Sequence, residues 1–232
     1  DYRERAHGRP PAYLSGHRLL GYAQNHDQIG NRAKGERLGQ LVGPARQKIA
    51  AALVFTSPFI PMLFQGEEFC SSSPFQYFTQ HEDKELGQRV SEGRRNEFAA
   101  FGWNPQDVPD PQDPATFKRS KLVWDERAAE PHSAMFDWYK KLIAFRKSHP
   151  CLTDGRLDRV EVNFDEAARW LVMRRGPVEV VCSLAEDRQA IPISPDPHHV
   201  LCSEAGWHLR PGLLELPANS VAILSNLTEP RP

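Results

Sequence analysis

The nine residues Gln24-Asn25-His26-Asp27-Gln28-Ile29-Gly30-Asn31-Arg32 place a carboxylate, an imidazole, a guanidinium and four side-chain amides in one short stretch. An Asp beside a His offers a negative charge to a developing positive one and a donor to a hydroxyl group. A solvated loop built on turn-forming Asn and Asp accounts for the same residues, so side-chain chemistry alone leaves both readings open. Other candidates are weaker. Glu67-Glu68 is an acid pair in name only, because neighbours on an extended segment point to opposite sides, which leaves a structural or outer-contact role. Asp107, Asp110 and Asp113 lack the glycine and the spacing of a calcium loop, so no metal is expected there. His198-His199 has no partner at ligand spacing. Phe69, Phe75, Tyr77 and Phe78 could supply the flat apolar wall of a pocket or simply pack a loop. Cys70, Cys151, Cys182 and Cys202 have no C-x-x-C spacing and are expected to be free thiols.

The elements that must hold these groups divide the chain in two. A short apolar run over 19–24 ends in the polar cluster, as a buried parallel strand does when its carboxyl end opens on a site. Gly43-Pro44 opens a helix running to about Thr56, a second buried strand covers 60–64, and a charged helix covers 82–101 with Leu86, Val90, Phe98 and Phe101 as its apolar positions. Four prolines in 103–117 predict a long loop without regular structure. Pro131 leads into a helix with Met135, Trp138, Tyr139, Leu142 and Phe145 on one face. Beyond about residue 155 the pattern becomes seven short strands, over 157–164, 168–175, 178–184, 189–193, 198–203, 213–216 and 220–226, which predict a small antiparallel β-sandwich. The expected domains are therefore 1–152, of α/β type, and 153–232, all β.

Among the 232 residues, 29 Lys and Arg stand against 30 Asp and Glu, a formal charge of −1 that favours neither nucleic acid nor an anionic membrane as partner. The longest apolar run, 49–55, is far below the ~20 residues of a membrane span, and no signal-peptide pattern opens the chain, so a cytoplasmic location is expected.

The strings YAQNHDQIGNRAKGERL, SPFIPMLFQGEEF, SPFQYFTQH, GRRNEFAAFGW and VPDPQDPATFKRSKLVW closely resemble the malto-oligosyltrehalose trehalohydrolase family of the α-amylase superfamily, over nearly the whole chain. NHD alone points to the superfamily, whereas the extended nine-residue string and Asp110-Pro111-Gln112-Asp113 are more specific. The resemblance implies a (β/α)8 barrel followed by a β-sandwich, and retaining hydrolysis of the α-1,4 bond next to the terminal trehalose of maltooligosyltrehalose, without metal or organic cofactor. It makes 19–24 and 60–64 barrel strands seven and eight. It assigns Asp27 as the carboxylate that stabilises the oxocarbenium-like transition state and His26 as a ligand of the same sugar, with Asn25, Gln28 and Arg32 beside them. Tyr2 and Arg3 resemble an aromatic-Arg pair near the trehalose end. Phe69 and Gln80 stand where the family pattern has Trp and Asp.

A complete barrel takes about 250 residues, and 1–150 holds only two strand-helix units. With Asp at position 1, the chain is expected to be the C-terminal portion of the enzyme, inactive by itself, with the absent N-terminal part and its two further carboxylates as partner. Another superfamily enzyme, such as a glycogen branching enzyme, or a carbohydrate-binding module built on Trp170 and Trp207 of the sandwich, are the alternatives.

Overall fold

In the computed structural model, which describes residues 13–194 and 197–226, the polar cluster follows a very short parallel pair. Strand β1 (Leu20–Gly21) lies beside a second strand, Ile60–Pro61, through Ile60 N to Leu19 O at 3.0 Å and Met62 N to Gly21 O at 2.9 Å. Regular pairing is thus shorter than the 19–24 and 60–64 expected. Pro61 has no N–H to extend the ladder, and among the described residues the pair has no third strand. Leu20 and Ile60 are consequently exposed.

Between the two strands come α1 (His26–Gly30) and α2 (Leu38–Thr56). Helix α2 begins earlier than expected because Gln40 Oε1 caps the Arg37 N–H at 2.8 Å, and it kinks at Gly43, whose φ of 81° is left-handed. Pro44 then starts the second segment, where its missing N–H costs no hydrogen bond. After β2 (Ile60–Pro61) comes α3 (Lys84–Ala100), capped by Asp83 and packed through Gly87, Ser91, Arg94 and Phe98. Leu86 and Phe101, expected on its buried face, are exposed. The stripe shifts because small and hydrogen-bonding side chains are needed against the 110–113 loop: Ser91 Oγ donates to Asp110 Oδ1 at 2.6 Å, and a Cβ on Gly87 would meet Gln112 Oε1 at 2.9 Å.

The proline-rich segment also departs from expectation. Pro105–Asp107 forms a 3-10 turn and Pro114–Arg119 forms α4, capped by Asn104 and Asp113 respectively. Each proline directly follows an N-cap residue and starts a helix instead of excluding one. Asp113 accepts from Ala115 N at 2.8 Å, and Asp110 pairs with Arg95 at 2.9 Å, so both carboxylates have structural partners.

Helix α5 (His132–Ser148) buries the five apolar residues expected of it, and α6 (Pro150–Thr153) adds a turn. Eight strands follow: β3 (Glu161–Asp165), β4 (Trp170–Arg175), β5 (Val178–Ser183), β6 (Gln189–Pro192), β7 (His199–Cys202), β8 (His208–Arg210), β9 (Leu213–Leu216) and β10 (Ser220–Ser225). They form antiparallel sheets of order β3-β4-β5-β10-β7 and β6-β9-β8. Only β8 was not anticipated; three residues are too few to show alternation.

Strands β5 and β10 are buried on both faces. Val180, Cys182, Val221 and Ile223 pack against Ile49, Phe55, Trp138 and Leu142 of α2 and α5, whereas Val181, Ala222 and Leu224 face Ile191, Leu214 and Leu216 of the smaller sheet. The period-2 alternation of a strand thus serves two cores, and the layers run helices, large sheet, small sheet. Trp170 and Trp207 pack against the second core. All four cysteines are free, and burial pushes the Cys182 and Cys202 thiols up to about 12, so they are inert. No helix among the described residues is long and apolar enough to cross a membrane.

Candidate active site

Asn25 shapes the site before any ligand is considered. Its Oδ1 accepts from Asp27 N at 2.8 Å and Gln28 N at 3.3 Å, while Gln28 Oε1 accepts from Asn25 N at 2.8 Å, a reciprocal capping box. Both amides therefore hold the turn, and the two residues between them project outward. His26 Nε2 lies 3.2 Å from Asp27 Oδ1, with the two side chains 68% and 70% exposed. Ile29 is buried beneath and anchors the helix.

The far end of α1 is held by Arg94 of α3. Its guanidinium lies between Tyr77 and Phe98, 4.8 and 4.7 Å from their ring centres, and donates to Gly30 O and, at 3.5 Å, to Asn31 Oδ1. A cation at carbonyls that end a helix is favourable on both hydrogen-bond and dipole grounds. Burial nevertheless lowers the Arg94 pKa. Arg32, next along the chain, is exposed.

His26, Asp27, Gly30 and Asn31 form one wall of a cleft of about 340 Å³, and Phe75, Gln76, Tyr77 and Phe78 form the other. Gly35 fixes this second wall: its φ is 69°, a Cβ there would come within 2.6 Å of the Phe75 backbone, and Phe75 N donates to Gly35 O at 2.9 Å. Gln76 is buried and fully engaged, with Ser120 Oγ at 3.0 Å, Arg119 Nε at 3.2 Å and Lys34 O at 3.3 Å. Phe75 and Phe78 continue as edge-to-face contacts to Phe64 and Phe117, toward a neighbouring cavity of about 540 Å³ that also includes Trp124. Phe69 does not join them. It is fully buried against Trp124 at 5.8 Å and belongs to the packing beneath the site.

Glu67-Glu68 lies in a 3-10 turn, Glu67–Phe69, instead of an extended segment. Glu67 is buried and Glu68 half-buried. Glu67 Oε1 accepts from Tyr139 Oη at 3.2 Å, its carbonyl accepts from Gln47 Nε2 at 2.7 Å, and burial pushes its carboxyl up to about 7 against the opposing pull of Gln24 and Tyr139. The same burial, with the Glu67 charge beside it, raises the Tyr139 pKa well above the ordinary value. Arg37, also buried, donates to Ser73 O and Gln65 O at 2.6 Å each. The sequence carried no pattern that singled out Arg37 or Arg94, since each acts through partners distant in the chain. Tyr2 and Arg3 lie outside the described residues.

The cleft can hold a small polar molecule with an apolar face and set one carboxylate beside it. Among the described residues Asp27 is the only acid that lines it, so it lacks the carboxylate pair that glycoside cleavage uses.

No family model matches the chain. It is similar to malto-oligosyltrehalose trehalohydrolase of Brevibacterium helvolum, 44% identical over 97% of this chain and 38% of that protein. The Mycobacterium tuberculosis and Saccharolobus solfataricus proteins of the same name are 44% and 40% identical over 83% and 75% of this chain. The chain thus spans between 28% and 38% of the length of these relatives. Among solved structures, one described as an alpha amylase from Salmonella typhimurium matches with a TM-score of 0.76 and 30% identity, over 92% of this chain and 36% of that one. A pullulanase from Anoxybacillus sp. LM18-11 complexed with maltotetraose matches with a TM-score of 0.58 and 16% identity, over 92% and 28%, a likeness of fold alone. From this agreement in sequence with the trehalohydrolases and in fold with α-amylase-family enzymes, the chain belongs to the malto-oligosyltrehalose trehalohydrolase family and matches the C-terminal portion of its members.

Proposed function

We propose that this chain forms the C-terminal part of a retaining glycoside hydrolase that cleaves the α-1,4 bond next to the terminal trehalose of maltooligosyltrehalose, in the cytoplasm. In this reading β1 and β2 are strands seven and eight of a (β/α)8 barrel, and the polypeptide matching the remainder of the relatives supplies the nucleophile and the general acid. Such a pair must stand ~5–5.5 Å apart across the scissile bond. Asp27 is the third carboxylate. As the bond breaks, positive charge grows on the sugar ring, and a carboxylate already held in place stabilises it without reorganisation. His26 donates to a hydroxyl of the same ring, Arg32 and the Tyr2-Arg3 pair contact substrate further out, and Asn25 and Gln28 keep the turn in shape.

The observation that carries the reading is the position of Asp27. It sits just past a strand end, on a capped turn, facing an aromatic wall, in a chain 44% identical to named trehalohydrolases across 97% of its length. The test is Asp27→Asn in the full-length enzyme with maltotriosyltrehalose as substrate: kcat should fall by ~10²–10³, the scale of losing one preorganised electrostatic group. Near-parental release of trehalose by a folded Asp27→Asn enzyme would refute it. Formation of branched glucan in place of trehalose would reassign the activity to a transferase.

A further inference from the structure

The two walls of the candidate cleft come from segments far apart in the chain, and one buried side chain touches both. Arg94 of α3 is 9% exposed. Its Nη2 donates to Gly30 O and its Nη1 to Asn31 Oδ1 at 3.5 Å, both on the wall that carries Asp27. Its guanidinium carbon lies 4.8 Å from the ring centre of Tyr77, on the opposite wall. Phe98, buried with Ala33 and Val108, backs the same guanidinium at 4.7 Å from its own helix. Glu97 is 3.9 Å away, and its exposed carboxylate contributes little.

Each contact reaches the cleft by a short path. Asn31 N donates to Asp27 O at 3.1 Å, so the carbonyl end of α1 and the Asp27 backbone move together. Tyr77 is 40% exposed: its ring is held against the guanidinium yet remains open to the cleft. A guanidinium stacks on a ring through its face while it donates hydrogen bonds in its plane, which a tetrahedral ammonium does not reproduce. One rigid group therefore fixes α1 in its plane and Tyr77 on its face.

We infer that Arg94 is a positioning residue: it sets the spacing between the Asp27 turn and Tyr77, and Tyr77 is the surface against which the sugar beside Asp27 is held. The inference rests on the proposed role of Asp27. An arginine that served packing alone would change the amount of folded enzyme but not the turnover of each folded molecule.

The test uses the full-length enzyme with maltotriosyltrehalose, with rates taken per folded molecule. Arg94→Met should lower kcat by about tenfold or more, the scale of a small displacement of a charge-stabilising group. Placed on Asp27→Asn, the same substitution should change kcat by less than about twofold, because the group it positions is already gone. Arg94→Lys keeps a charge for Gly30 O without a planar face for Tyr77, so kcat should return to within about threefold of the parent while KM stays raised by about threefold or more. That split carries the test where Arg94→Met does not fold. An Asp27→Asn enzyme of parental turnover overturns both the proposed function and this inference. With Asp27→Asn inactive, equal losses from Arg94→Met in the two backgrounds, or a parental KM in Arg94→Lys, overturn the positioning role alone.

Discussion

Glu67 holds its charge at a thermodynamic cost, and the sign of that cost can be tested by stability alone. Its carboxyl titrates near 7 in the fold against an ordinary value of 4.5. The folded state therefore binds the proton more tightly than the unfolded chain. The resulting stabilisation is full below about pH 4.5 and is lost as pH rises through about 7, amounting to roughly 3 kcal/mol across that window. Glu67→Gln has no proton to lose there. Its melting temperature relative to the parent should accordingly be higher at pH 8 than at pH 5, as read by thermal denaturation at both pH values. A difference that stays flat between them contradicts the buried, unneutralised carboxyl. Gly35 is a second position where one residue decides the outcome: Gly35→Ala must adopt φ 69° and displace the Phe75 backbone, so a loss of about 2 kcal/mol or more in denaturant unfolding is expected.

Two elements owe their positions to buried and half-buried arginines. The last turn of α2 leaves carbonyls without helical partners, and Arg146 donates to Phe55 O, Ser57 O and Phe59 O while Arg175 donates to Thr56 O, Cys151 O and Asp154 O. Burial lowers the pKa of both, and no carboxylate forms an ion pair with either among the described residues. Arg175→Met should leave these carbonyls unsatisfied and lower stability by about 3 kcal/mol, the scale of several lost charge-assisted bonds, measured by urea unfolding. Arg94 does the same for α1. Arg94→Met keeps an apolar stem between Tyr77 and Phe98 but removes the donor to Gly30 O. Amide exchange over residues 27–31 should accelerate by about tenfold or more while α5 is unaffected, since the lost contact is local.

At the scale of the molecule, the division expected at 152/153 follows the change from helices to short strands, and the first core runs across it. Val180, Cys182, Val221 and Ile223 have their apolar neighbours on α2 and α5, so a piece comprising 153–232 would expose the face of the large sheet that the helices cover. Such a piece should bind a hydrophobic dye and melt without a cooperative transition, whereas residues 13–226 should protect β5, β10 and α5 together in hydrogen exchange; equal protection of β5 and β10 in the isolated piece would contradict a shared core. The same layering disfavours the binding-module alternative, because Trp170 and Trp207 are engaged with the second core instead of presenting a flat surface.

Periodicity and local signals determined much of this from sequence. The five-residue apolar face of α5 and the seven strand positions are legible because one-sided and alternating burial write themselves as spacing along the chain. The NHD string, with its Asn and Gln three residues apart, likewise contains its own capping box, since both partners lie within one turn. Tertiary structure decided what depends on residues far apart. Gln24 caps Leu38 N, and Glu67 meets Tyr139 72 positions later; Arg94 reaches Gly30 across 64. The buried face of α3 was set largely by the loop packed against it, and two of the four prolines of 103–117, Pro105 and Pro114, became helix starts because capping side chains preceded them. Burial, which gives Glu67 its altered acidity, belongs to the assembled neighbourhood and to no residue's identity, and it arises only when distant segments together exclude water from one carboxyl group.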